Sequence, residues 1–219
     1  MRLPSAHDSI VARLVADVRP VRRLWPPVVR LAVWVVIAAT VLVLAARVSL
    51  RGDVAGALGS PRYVLELGLL AGAAAAAAAA ALLAAIPGRD PRPVAAAAAL
   101  LAALSATTFL VEPAAPGATW FAGFRCAACI PMFGLVPWLA LIAAVARGAP
   151  LDARGAGAYV GAAAFLIGAA AVRLACPVDD GHHLLVWHVL PVVAWTGISV
   201  LATATWLARR AVAPGPARS

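Results

Sequence analysis

Six stretches of this chain are apolar over about 17 to 25 consecutive residues, the length an α-helix needs to cross the roughly 30 Å hydrocarbon core of a bilayer. They cover residues 28–46, 63–86, 94–111, 130–146, 155–175 and 184–208. Inside lipid a backbone must satisfy its own N–H and C=O groups, which a helix does within one segment. The links between the runs are short and carry Pro, Gly or Arg: "RVSLRGDVAGALGSPR", "PGRDPRP", "EPAAPGATWFAGFR", "RGAPLDAR" and "CPVDDGHH". The expected fold class is therefore all-α, an integral membrane bundle of six transmembrane helices over residues 28–208. A short arm (1–27) and tail (209–219) flank it, and no soluble domain fits between the spans. The first run begins too late and is too long for the apolar region of a signal peptide.

Charge supports this reading. Only 12% of residues are charged, against about 25% in soluble domains. The net charge of +9 raises the possibility of nucleic-acid binding, but the 18 basic residues, all Arg, fall in the gaps between apolar runs and do not form one stripe. They read as topology signals, and direct nucleic acid contact is not expected. Thirteen lie on the side of the two termini, and five (Arg47, Arg51, Arg62, Arg125 and Arg173) lie on the other. The positive-inside rule then puts both termini in the cytoplasm. The Ala-rich second and third runs offer side chains small enough for close helix approach, so both are expected inside the bundle.

Rare polar chemistry concentrates on the opposite side. The fifth link and its flanks, "LACPVDDGHHLLVWH", hold Cys176, His182, His183 and His188, and "FRCAACIPMF", assigned to the third link, holds Cys126, Cys129 and Met132. Thiolate, thioether and imidazole select soft or borderline ions such as Cu(I) and Zn. Disulfides also persist outside the cytoplasm, so a metal clamp, a redox switch and a structural staple are all open. Cys126 and Cys129 form a CxxC whose sulfurs would share a helix face. His183 and His188, five residues apart, would lie about 140° apart around an α-helix and so not on one face. His188, beside Trp187, reads equally well as an interfacial histidine bonded to a carbonyl. Asp179 and Asp180 read as a cap for the last helix. Glu66, the one carboxylate deep in a span, reads as paired with Arg62 at i,i+4. No nucleophile elbow, phosphate-binding loop or HExxH motif is present, so an enzyme is not expected.

The arm carries a second signal. Ile10, Val11, Leu14, Val15 and Val18 recur at helical spacing over about residues 6–18, with Ser5 as N-cap and Pro20 as terminator. A helix this short needs a partner for its apolar face, either membrane lipid or a protein groove.

Taken together, the arm ending "VRPVRRLWPP", the segment with Cys126, Pro137 and "RGAPL", and "CPVDDGHHLLVWH" before the last span resemble the NrsF family of polytopic anti-sigma factors. The resemblance implies a protein of the bacterial inner membrane that holds an extracytoplasmic-function (ECF) sigma factor on its cytoplasmic side. It implies two outward-facing cysteines that respond to stress such as metals, here Cys176 and, by its spacing to the helix-four proline, Cys126; Cys129 is additional to the family pattern. There is no permanent cofactor on this reading, but a regulatory copper or other soft ion is expected. Sigma contacts would come from the arm, with Ile10, Leu14, Val15 and Val18 as apolar anchors. The rival reading is a small membrane transporter or thiol oxidoreductase that handles metal or redox equivalents itself.

Overall fold

The computed structural model describes residues 12, 15–16, 23–110 and 120–212. Among the described residues from Pro27 on, eight α-helical segments follow one another: α1 (Pro27–Ser49), α2 (Val54–Leu58), α3 (Pro61–Ala84), α4 (Arg92–Leu110), α5 (Trp120–Ala146), α6 (Ala153–Ala175), α7 (Gly181–Leu184) and α8 (Leu190–Val212). A π-helical turn, Leu185–Val189, joins α7 to α8. The described residues contain no strand. Among the described residues six helices are long and apolar enough to cross a membrane, the last running through the π turn from Gly181 to Trp206.

The bundle is built around α6, which packs against α1, α3, α5 and α8 and is mostly buried. Its sequence explains that position: nine of the 13 buried residues from Ala156 to Ala171 are Ala or Gly, with Val160, Phe165, Leu166 and Ile167 interspersed. Small residues let neighbouring backbones come close. At Gly168 a Cβ would collide with the Ile130 carbonyl of α5. The Ala face of α3 (Ala73, Ala74, Ala77, Ala78 and Ala81) packs into the same core. Polar ties supplement this packing: Trp138 Nε1 donates to Ser199 Oγ at 2.8 Å, and Ser199 Oγ donates to the Gly157 carbonyl at 2.8 Å, linking α5, α8 and α6.

Three expectations are corrected. The fourth span begins at Trp120, so Cys126 and Cys129 sit within the opening turns of α5 and not on a link. Pro131 and Pro137, which break most helices, lie inside it, and an Arg and two Cys made those opening turns look like a loop. The third span, α4, packs chiefly on α3 at the rim of the bundle; the central place goes to the fifth span, whose small residues are interleaved with Gly. The first link is also partly helical, as α2.

Candidate functional site

Where α5 begins and α6 ends, local sequence shapes a pocket of thiols and imidazoles. Cys176 caps α6, its N–H bonded to the Val172 carbonyl at 2.7 Å. Pro177 follows it, and a residue before proline is driven out of the helical region; Cys176 accordingly has φ −80° and ψ 120°. The chain turns at Asp180, whose carboxylate accepts from His183 N–H at 2.7 Å and starts α7. The capping role expected of Asp180 holds, and the cap fixes His183 at the bottom of the turn.

His188 reaches the same place by a route that a regular helix forbids. Between Leu185 and Val189 the backbone is π-helical, with Leu190 N–H bonded to the Leu185 carbonyl five residues back. In a π turn residues i and i+5 stack as i and i+4 do in an α-helix. The separation of His183 and His188 expected from α-helical geometry is therefore overturned: their ring centroids lie 5.6 Å apart. Trp187 closes the turn against α5, its indole filling the space where Gly123 lacks a side chain and meeting the Trp120 ring edge-on at 5.3 Å.

One potential ligand atom from each of Cys126, Cys176, His183 and His188 lies within 4.8 Å of the other three. Cys126 Sγ is 3.6 Å from Cys176 Sγ, and Cys176 Sγ is 3.5 Å from His183 Nε2. Around a tetrahedral ion with metal–sulfur bonds near 2.3 Å and metal–nitrogen bonds near 2.0 Å, two sulfurs lie about 3.8 Å apart and a sulfur and a nitrogen about 3.5 Å apart. The donor set thus fits a soft or borderline cation. His183 Nδ1 and His188 Nε2 are buried without a hydrogen-bond partner among the described residues, which leaves imidazole capacity unused. Cys176 accepts from the Cys126 thiol, and this bond, working against burial and aided by His188, holds the Cys176 thiol below its ordinary pKa. A thiolate is both the metal-binding and the nucleophilic form of cysteine.

The other sequence candidates lie outside this cluster. Cys129 is half-buried against the apolar cluster of Ile130, Phe165, Ala169, Val172 and Cys176 but is not one of the four donors. Met132 is 63% exposed on the outside of α5, in a shallow apolar depression with Leu135, Trp195 and Ile198. His182 is exposed and lines a small pocket of about 90 Å³ with Trp120, Asp180 and Trp187. Of the arm anchors only Val15 is described; it is helical and exposed. Ile10, Leu14 and Val18 lie outside the described residues.

Sequence reading missed a buried ionic network next to the cluster. Arg173, 2% exposed, donates to Glu66 Oε2 at 3.0 Å and to Asp179 Oδ1 at 2.7 Å. Arg51 grips Asp179 (3.0 and 2.7 Å) and Asp53 (2.6 and 2.8 Å) with its guanidinium, and its N–H bonds the Leu174 carbonyl. Tyr63 donates to the Arg173 carbonyl at 3.0 Å, and the Arg173 guanidinium lies 4.5 Å from the Tyr63 ring centre. Glu66 therefore takes its closest partner from α6; the expected partner, Arg62, stands 3.6 Å away and also bonds the Thr108 carbonyl. Asp179 belongs to this network and is not a simple cap. Burial would raise its pKa, but the Arg51 and Arg173 hydrogen bonds outweigh burial and leave it below the usual carboxylate value. The signal available in the sequence was Arg173 itself, a charge at the end of the most glycine-rich span.

Against known proteins, a family model described as "NrsF: Negative regulator of sigma F" matches residues 14–209, most of the chain. No curated protein and no solved structure shows a significant match.

Proposed function

The chain belongs to the NrsF family of negative regulators of sigma F, and from that premise we propose that it is a metal-responsive anti-sigma factor of the bacterial inner membrane. Both termini face the cytoplasm, where the arm, through Ile10, Leu14, Val15 and Val18, holds an ECF sigma factor. The input is the cluster of Cys126, Cys176, His183 and His188 at the other face, and that cluster is the observation that carries the reading. These four residues would hold a soft or borderline cation, Cu(I) or Zn(II), as the regulatory ligand.

The elements that supply the ligands suggest how the input reaches the output. Cys126 stands on α5, whereas Cys176, His183 and His188 stand on the α6–α8 connection. Drawing four donors around one ion changes how α5 sits against that connection. At its far end α5 is tied to the root of the arm: the Arg30 guanidinium bonds the Ala144 carbonyl, and Trp34 Nε1 bonds the Pro137 carbonyl at 3.0 Å. α5 therefore touches both the site and the segment that follows the arm. A ligand shifts such an equilibrium only by its difference in affinity for the two states. Moving it from 1:99 to 99:1 takes about 5.5 kcal/mol, and a four-ligand thiolate–imidazole site binds with about 10–16 kcal/mol.

The 3.6 Å between Cys126 and Cys176 sulfurs also supports an oxidative input. In that case the two thiols lose two protons, and two electrons pass to an oxidant as the disulfide forms. A phosphine reductant reverses this input but leaves a metal input intact.

Co-purification with the sigma factor from solubilised membranes, with and without Cu(I), tests the reading. Sigma should be lost on adding copper to the parent, Cys129→Ser and His182→Ala proteins, and kept in Cys126→Ser, Cys176→Ser and His183→Ala. Release that is unchanged in the last three variants would remove the cluster from the input.

A further inference from the structure

The opposite end of the bundle, where α1 begins and α5 ends, holds a cavity of about 610 Å³ whose charged lining is entirely cationic: Arg23, Arg30 and Arg147. Among the described residues no acidic side chain lines it. Arg30 is only 8% exposed. Its Nη2 bonds the Ala144 carbonyl, but its Nη1 is buried with no hydrogen-bond partner among the described residues. A guanidinium held this far from water calls for an anion, and its planar donor fork matches phosphate oxygens.

The rest of the cavity says what carries that phosphate. Trp25 stands at its edge, 65% exposed, as tryptophans do at headgroup level. Val33 and Ile37 line both this cavity and an apolar groove that runs along the outside of α1. The site thus has a cationic head and an apolar tail trough continuous with it. Basic pockets between spans at a membrane surface bind anionic headgroups. From this arrangement we propose that the cavity between α1 and α5 binds an anionic phospholipid, its phosphate on Arg30, Arg147 and Arg23 and an acyl chain along Val33 and Ile37. A free phosphate would use the arginines and leave the groove without a role.

Native mass spectrometry of the full chain in detergent, titrated with phosphatidylglycerol, phosphatidylcholine or inorganic phosphate, tests this. One phosphatidylglycerol should be retained about tenfold more tightly than phosphatidylcholine, and about five- to tenfold more weakly by Arg30→Gln or Arg147→Gln. Arg147 is exposed, so its variant carries the test if Arg30→Gln fails to fold. Cys129→Ser, towards the far end and outside the four-donor cluster, should retain lipid like the parent. Equal retention of the two lipids, retention unchanged in Arg147→Gln, or displacement of phosphatidylglycerol by millimolar inorganic phosphate would each overturn the proposal.

Discussion

A pair of single-residue deletions isolates the π turn's contribution to the proposed metal site. Deleting Val186 or Val189 removes one residue from the Leu185–Val189 turn, and either deletion lets the turn relax to an α-helix while the chain on both sides stays in place. The two products differ in where Trp187 and His188 fall. Without Val186, His183 and His188 are four residues apart in an α-helix, about 40° around the axis, and still share a face. Without Val189 they remain five apart, now about 140° around the axis, and His188 swings away from Cys176.

The magnitude follows from the ligand count. A four-ligand thiolate–imidazole site is worth about 10–16 kcal/mol, so one ligand in four carries about 2.5–4 kcal/mol. That corresponds to roughly a hundredfold to a thousandfold in affinity. Zinc affinity, measured by competition with a chromophoric chelator on detergent-solubilised protein, should be near the parent value without Val186 and lower by that factor without Val189. Far-ultraviolet dichroism should show both folded. Equal affinities for the two deletion proteins would refute the argument, because they would mean that His188 is not held at the site by the turn.

Three further outcomes follow from the geometry. Glu66→Ala leaves the buried Arg173 guanidinium with one of its two carboxylate partners removed and should cost about 3–5 kcal/mol in reversible unfolding, whereas the apolar double variant Glu66→Leu/Arg173→Met should recover much of the loss. Stability should also fall in acid through Asp179. Its folded pKa is depressed, so its contribution is complete above the unfolded value of about 3.9 and is lost as pH drops through the folded value; a thermal melt series below about pH 4 should show the decline, and Asp179→Asn should flatten it. Gly168→Ala forces a Cβ onto the Ile130 carbonyl, which should cost about 1–3 kcal/mol and, by moving α5, weaken zinc binding as well; a melt and the chelator titration on one sample read both.

What the sequence made legible and what it hid divide along the range of the interactions. The spans were legible because membrane crossing is set by the local sum of apolar residues, and that sum can be read in a window of about 20 residues. The ligand types were legible because thiols and imidazoles are scarce in a chain that is otherwise largely Ala, Leu, Val and Gly. Selection within that set was not. Spacing within the CxxC does not separate Cys126 from Cys129; the family resemblance favoured Cys126, and the direction of α5 against the α6–α8 connection puts Cys126 and not Cys129 among the four donors. The Glu66–Arg173 pair spans 107 positions, so the local partner Arg62 looked sufficient.

The histidine pair is the most instructive failure, because the reasoning was sound for the helix it assumed. Five residues do not share an α-helical face, yet the backbone here adopts the one helical form in which they do. A π turn is rare and is seen chiefly as a single turn within α-helices, often at functional sites. Its occurrence here is accounted for by what it re-aims: the turn brings a buried histidine from the surface of a regular helix to Cys176 and His183. Local irregularity and concentrated ligand chemistry coincide over the same seven residues, 183–189. That coincidence is the physical reason to place the proposed input at the four-residue cluster, which takes only Cys126 from the CxxC, and not at the CxxC pair by itself, which by sequence pattern alone was the more familiar motif.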